Sequence, residues 1–132
     1  MSPITYLRRV ASRCIAAVCL LASLGAVSAT AGAAEVTFVI RNDHPYILEL
    51  QLYSQNRNHV WPNGSEVYVL NDRETKTIPL SCQQGESICY GAWIENDPNG
   101  TYWGTGPNNA NQCTDCCYVC SGGETEEIQL VE

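Results

Sequence analysis

"EVTFVIRNDHPYILELQLYS" occupies residues 35–54, and its hydrophobicity alternates in two separate runs. In an extended chain Val36, Phe38 and Ile40 share one face, while Thr37, Val39 and Arg41 take the other. Leu48, Leu50 and Leu52 repeat the pattern against Glu49, Gln51 and Tyr53. A helix would need apolar residues every three or four positions, so the period of two predicts half-buried strands. Between the runs, Asp43, His44 and Pro45 favour a chain reversal.

The same grammar continues towards the C-terminus. "VYVL" (67–70), "TKTIPL" (75–80), "SICYGAWIE" (87–95), "TYWG" (101–104) and "ETEEIQLVE" (124–132) read as further short strands. Pro79 lacks a backbone donor, which places its strand at a sheet edge or at its own end. "QQGE" (83–86) predicts a turn, and a hairpin centred on Gly85-Glu86 would set Cys82 opposite Cys89. "NDPNG" (96–100) predicts another, setting Trp93 and Ile94 across from Tyr102 and Trp103. About seven short strands without a helical stretch predict an all-β fold, a small antiparallel β-sandwich in one domain, residues 35–132.

The first 34 residues read differently. Arg8, Arg9 and Arg13 precede an apolar run from Cys14 to Val27, and small residues follow. That order is the signature of a secretory signal peptide, with cleavage expected after Ala29, Ala31, Ala33 or Ala34. The apolar run falls short of the roughly 20 residues that span a bilayer. The protein is therefore expected to be secreted or periplasmic, with no membrane association once cut.

A cut after Ala34 leaves 98 of the 132 residues, with four basic side chains against fourteen acidic ones, a formal charge of −10. Phosphate backbones and anionic lipid would repel such a chain, so nucleic-acid and membrane-surface roles are not expected. Asn63 and Asn99 head N-x-S/T sequons, relevant if the source glycosylates exported proteins.

Removing the leader takes Cys14 and Cys19 with it and leaves Cys82, Cys89, Cys113, Cys116, Cys117 and Cys120. An even number of cysteines in a small exported domain predicts a disulfide framework that staples the sandwich. Cys116 and Cys117 are adjacent and, if extended, face opposite ways, so they are expected to reach different partners. Longer loops stabilise more, which favours at least one bond from the 82–89 region to the 113–120 cluster. The pairing itself stays open among fifteen arrangements. The rival reading is a metal-binding or thiol-redox protein using C-x-x-C-C-x-x-C, but no helix or basic neighbour that would activate a thiol is evident.

Candidate catalytic groups are sparse. His44 and His59 are the only histidines, both in turn or loop segments, and no nucleophile elbow, phosphate loop or zinc-protease helix is present. "ENDPNG" (95–100) approaches a calcium loop, but Gly106 stands where a bidentate glutamate is required. No cofactor and no metal are expected. Trp61, Trp93, Tyr102 and Trp103 instead form a candidate binding surface for a protein or glycan beside asparagine-rich turns.

"VTFVIRN" (36–42) and "CTDC" (113–116) resemble thaumatin-like proteins, and the resemblance implies a secreted, disulfide-rich β-sandwich. The chain lacks that family's length, its many other cysteines and the glycine usual before the aspartate, so no residue role is carried over. The expected function is non-enzymatic binding by an exported, acidic, disulfide-stabilised sandwich.

Overall fold

A computed structural model describes residues 32–132, together with Gly25. The expected leader therefore lies almost wholly outside the described residues. Strand β1 (Ala33–Asn42) buries Val36, Phe38 and Ile40, the face that alternation marked. It pairs antiparallel with the whole of β5 (Thr75–Gln83), from Ala33 opposite Gln83 to Arg41 opposite Thr75. A cut after Ala34 would remove the first two pairs of this ladder, whereas a cut after Ala31 would keep them.

Strand β2 (Leu48–Ser54) is the spine of the larger sheet. The short strands β3 (Val60–Trp61) and β4 (Tyr68–Leu70) pair with successive parts of one edge, and β6 (Ser87–Ile94) covers the other. Strands β7 (Asp97–Gly104) and β8 (Cys117–Val119) then share the far edge of β6. The small sheet, in the order β5-β1-β9 with β9 (Ile128–Leu130), packs on this six-stranded sheet. Phe38, Ile40, Ile78 and Leu80 from one sheet and Leu48, Leu50, Leu52 and Ile88 from the other build the core. The fold is an all-β sandwich, and Pro79 sits on an edge strand as its missing donor requires.

Four expectations need correction. Among the described residues nine strands form rather than about seven, because β3 and the cysteine-rich β8 carry no alternation to announce them. The sandwich is not purely antiparallel, since β9 runs parallel to β1. The reason lies in the return path: Gly122 and Gly123, both at φ 81°, bring the chain to the start of β1. There Gly122 N donates to Glu35 O and Thr37 N to Gly123 O, and the chain then follows β1 in the same direction. The turn at 83–86 makes no hairpin, because β5 and β6 belong to different sheets and the chain crosses between them. Finally, the β6–β7 turn is centred on Glu95-Asn96, with Ile94 opposite Asp97. Asn96 adopts φ 62°, a left-handed value that asparagine tolerates in a tight turn. Trp93 still faces Tyr102, but Ala92 and not Ile94 faces Trp103, and the ladder shifts between Trp93 and Ile94.

The cysteines pair as Cys82–Cys120, Cys89–Cys117 and Cys113–Cys116. Two of the three bonds run from the 82–89 region to the cluster, in the direction that loop entropy favours. With sequence separations of 38, 28 and 3, chain entropy assigns them about 4, 3.6 and 2 kcal/mol respectively. Cys116 and Cys117 do reach different partners.

One polar side chain is fully buried at the end of β1. Asn42 donates from Nδ2 to the carbonyls of Tyr46 (2.8 Å), Leu70 and Asn71 (both 3.1 Å), and its Oδ1 accepts from His44 N at 2.8 Å. It thereby closes the chain reversal after β1 and fastens it to the end of β4. Asn42→Ala is expected to cost about 2–4 kcal/mol, because buried groups lose their partners, and denaturant unfolding measures the loss.

Candidate functional site

The outer face of the large sheet, which a plain sandwich would leave wet, is covered. Alternation puts Gln51 and Tyr53 of β2 and Gly91 and Trp93 of β6 on that face, yet all four are buried. The segment from Thr105 to Cys116 folds back over β6, and the loop at 63–66 closes over Gln51. Gly91 permits the first of these: a Cβ there would collide with the Gly106 carbonyl oxygen and lie 2.9 Å from the Tyr53 ring. Tyr53 donates from its hydroxyl to Gln51 Oε1 at 3.0 Å, and the same hydroxyl lies 3.3 Å from Gly106 O. Gln51 Nε2 in turn donates to the carbonyls of Asn63 and Glu66. Burial holds the Tyr53 phenol above its ordinary pKa, so it stays a donor across the physiological range.

Between these coverings lies a cleft of about 280 Å³. Gln51 and Tyr53 line it from the sheet, Arg57, Asn58 and His59 from the β2–β3 loop, and Asn108 and Asn109 from the turn Pro107–Asn109. Asn108 and Asn109 stand at φ 58° and 53°, left-handed values that asparagine tolerates better than most residues. Asn109 exchanges weak contacts with Gln55, at 3.3 and 3.5 Å. Among the described residues the side-chain amides of Asn58 and Asn108 have no hydrogen-bond partner, so both are available to a ligand.

The β2–β3 loop is held from beneath by Glu86, on the crossing between the sheets. Its carboxylate accepts from Arg57 Nε and Nη2, from Ser54 Oγ at 2.7 Å and from Gln83 N at 3.1 Å. The Arg57 guanidinium is the main reason that the Glu86 pKa falls to about 2, against 4.5 for an ordinary glutamate. Arg57 also lies over the Trp61 ring, 5.6 Å from its centroid, and the His59 ring meets that ring edge-on at 4.5 Å.

The four aromatics expected to form one binding surface are not assembled into one. Trp61 is only 7% exposed, because pairing of β3 with β2 draws it into the core beneath Arg57 and His59. Trp93 is 5% exposed and donates from Nε1 to Glu49 at 2.7 Å. Trp103 is half-buried against the core, its Nε1 donating to Val131 O, and Tyr102 alone is well exposed at 48%. His44 is buried, accepts from Tyr46 N at 3.3 Å and packs edge-on against Trp103. His59 is exposed on the cleft rim.

The sulfurs of Cys89, Cys116 and Cys117 lie within 4.8 Å of one another, a spacing that thiolates could use for a soft metal. All three are committed to disulfides, which leaves them without the anionic lone pairs that such a site needs. The amide cleft was not legible in the sequence. Its one local signal was the run of turn asparagines at 108–109, which reads equally well as an ordinary loop.

No known protein family, curated protein or solved structure matches the chain. The resemblance to thaumatin-like proteins thus adds no residue role.

Two outcomes follow from this geometry. The depressed folded pKa of Glu86 means that its contribution to stability is fully present above about pH 4.5 and is lost as pH falls through about 2. Glu86→Gln should flatten that acid limb and cost about 1–3 kcal/mol at neutral pH, as read by denaturant midpoints across the pH range. Gly91→Ala should destabilise by about 1–3 kcal/mol and displace the segment at 105–109, visible as amide shift changes at Gly106.

Proposed function

We propose that this chain is an exported, non-enzymatic binding protein that takes a hydroxyl-rich ligand, a glycan, in the amide-lined cleft. The observation that carries the reading is the pair of unpartnered side-chain amides, Asn58 beside Arg57 and His59 on one wall and Asn108 on the other, above a floor of Gln51 and Tyr53. Each amide offers a donor and an acceptor in one plane, which suits adjacent sugar hydroxyls. The cleft volume, about 280 Å³, suits one or two sugar rings. Export is supported by the signal-like N-terminus and by three disulfides, which form and persist in oxidising compartments such as the periplasm or the extracellular space. Against a catalytic role, buried His44 has no nucleophile among its hydrogen-bond partners, and His59 stands exposed.

A panel of neutral oligosaccharides, titrated while tryptophan emission is followed, tests the reading through Trp61 beneath the cleft rim. A saturable shift is expected with at least one sugar. Asn58→Ala and Asn108→Gly should each weaken it by about tenfold without lowering Tm. An unchanged spectrum with every sugar, or binding indifferent to both substitutions, rejects the glycan reading. A peptide panel that binds instead, and is sensitive to both substitutions, would move the cleft to a protein partner.

A further inference from the structure

A second cleft, of about 350 Å³, opens beside the cysteine cluster. Cys113, Cys117 and Cys89 line it with Thr105, Asn111 and Thr114, whereas Cys116 does not. Cys113 is partly exposed and Cys116 is 1% exposed, so the two ends of one disulfide differ sharply in access.

The three disulfides are not equally held. Cys82–Cys120 is buried at both ends. Cys89–Cys117 joins directly opposed residues of β6 and β8, next to the pairs Ile88–Tyr118 and Ser87–Val119, so strand pairing keeps its sulfurs together. Cys113–Cys116 lies outside every strand and closes the shortest loop, so neither a ladder nor much loop entropy defends it. Exposed bonds of this kind are the ones that exchange.

We propose that Cys113–Cys116 is a thiol-exchange site for small thiols that are uncharged or cationic. The thiolate enters the second cleft and attacks Cys113 Sγ. A sulfur–sulfur bond forms between the two, the Cys113–Cys116 bond breaks, and Cys116 leaves as a thiolate that takes a proton from water. The division of labour follows access: the open sulfur is attacked and the enclosed one departs. Cys116 then stays sheltered beside Cys117, their sulfurs 3.9 Å apart. From there it can attack Cys113 in the mixed disulfide, expel the small thiol and restore the original bond. Asp115 sets the charge preference, with its Oδ1 3.6 Å from Cys113 Sγ, because a carboxylate so close repels an anionic thiol.

Native full-length protein is treated with graded cysteamine at neutral pH, quenched in acid, alkylated and mapped by peptide mass spectrometry. Cysteamine is expected on Cys113 and the alkyl group on Cys116, with this bond opening at least about tenfold faster than the other two. At equal thiolate concentration, cysteamine should outpace 3-mercaptopropionate, and added salt should narrow the gap. The proposal is overturned if the adduct sits on Cys116, if the three bonds open together, or if Cys113 and Cys116 are not paired in the untreated protein. Equal rates for the two thiols would overturn the charge preference. In Cys116→Ala the Cys113 adduct formed with cystamine should persist because nothing resolves it, and rapid loss would count against the mechanism. If that variant fails to fold, the wild-type mapping decides alone.

Discussion

Cys82 belongs to β5 in the small sheet and Cys89 to β6 in the large one, yet both are bonded into the single short segment from Cys117 to Cys120. That segment therefore ties the two sheets to each other at the point where the chain crosses between them. The crossing is reinforced from within. Glu86 N donates to Gln83 O, Cys120 N to Glu86 O, and Gly85 N to Cys120 O at 2.7 Å. A domain of this size buries a modest fraction of its surface, and a covalent tie at the seam supplements what the core can supply. Moving the tie to a Cys82–Cys89 bond would close one loop but leave the segment from Cys117 to Cys120 without a covalent tie to either sheet.

The same seam positions the candidate site. Glu86 projects from the crossing and gathers Arg57, Ser54 and the Gln83 amide, which fixes the loop forming one wall of the amide cleft. The opposite wall descends from β7 through Gly104 and Gly106, and ends in two left-handed asparagines. After the Cys113–Cys116 loop, this second wall is anchored by Cys117, bonded to Cys89. Core, seam and cleft are thus one mechanical unit, and the bond with the least support is Cys113–Cys116, whose Cys113 end lines the second cleft.

Strands with one wet face were readable because the hydrophobic effect writes directly into their alternation, as in β1 and β5. In strand β6 both faces proved buried: Trp93 is enclosed, and Gly91 lies beneath the Gly106 carbonyl of a later segment. No local pattern encodes that cover. Turn chemistry showed the same limit: "QQGE" does reverse direction, but whether flanking strands pair or part into two sheets depends on which partners arrive later. Nothing in the sequence marked Trp61 as a strand residue, because two residues of β3 are too few to show a period. Its burial follows from pairing with β2 and from the two side chains packed over it.

Composition and patterning alone thus determined an all-β fold, an edge or strand-end position for Pro79, a disulfide framework, and the separation of Cys116 from Cys117. These rest on interactions between residues near in sequence, or on the chemistry of single residue types. Tertiary structure decided the pairing of the cysteines, the parallel course of β9 and the crossing at 83–86. It also decided the cleft between 57–59 and 108–109. The Cys82–Cys120 and Cys89–Cys117 bonds, the course of β9 and the cleft join segments 25 or more residues apart, and the crossing follows from the distant partners that β5 and β6 find. The free energy of such a contact depends on every other segment that competes for the same edge or face.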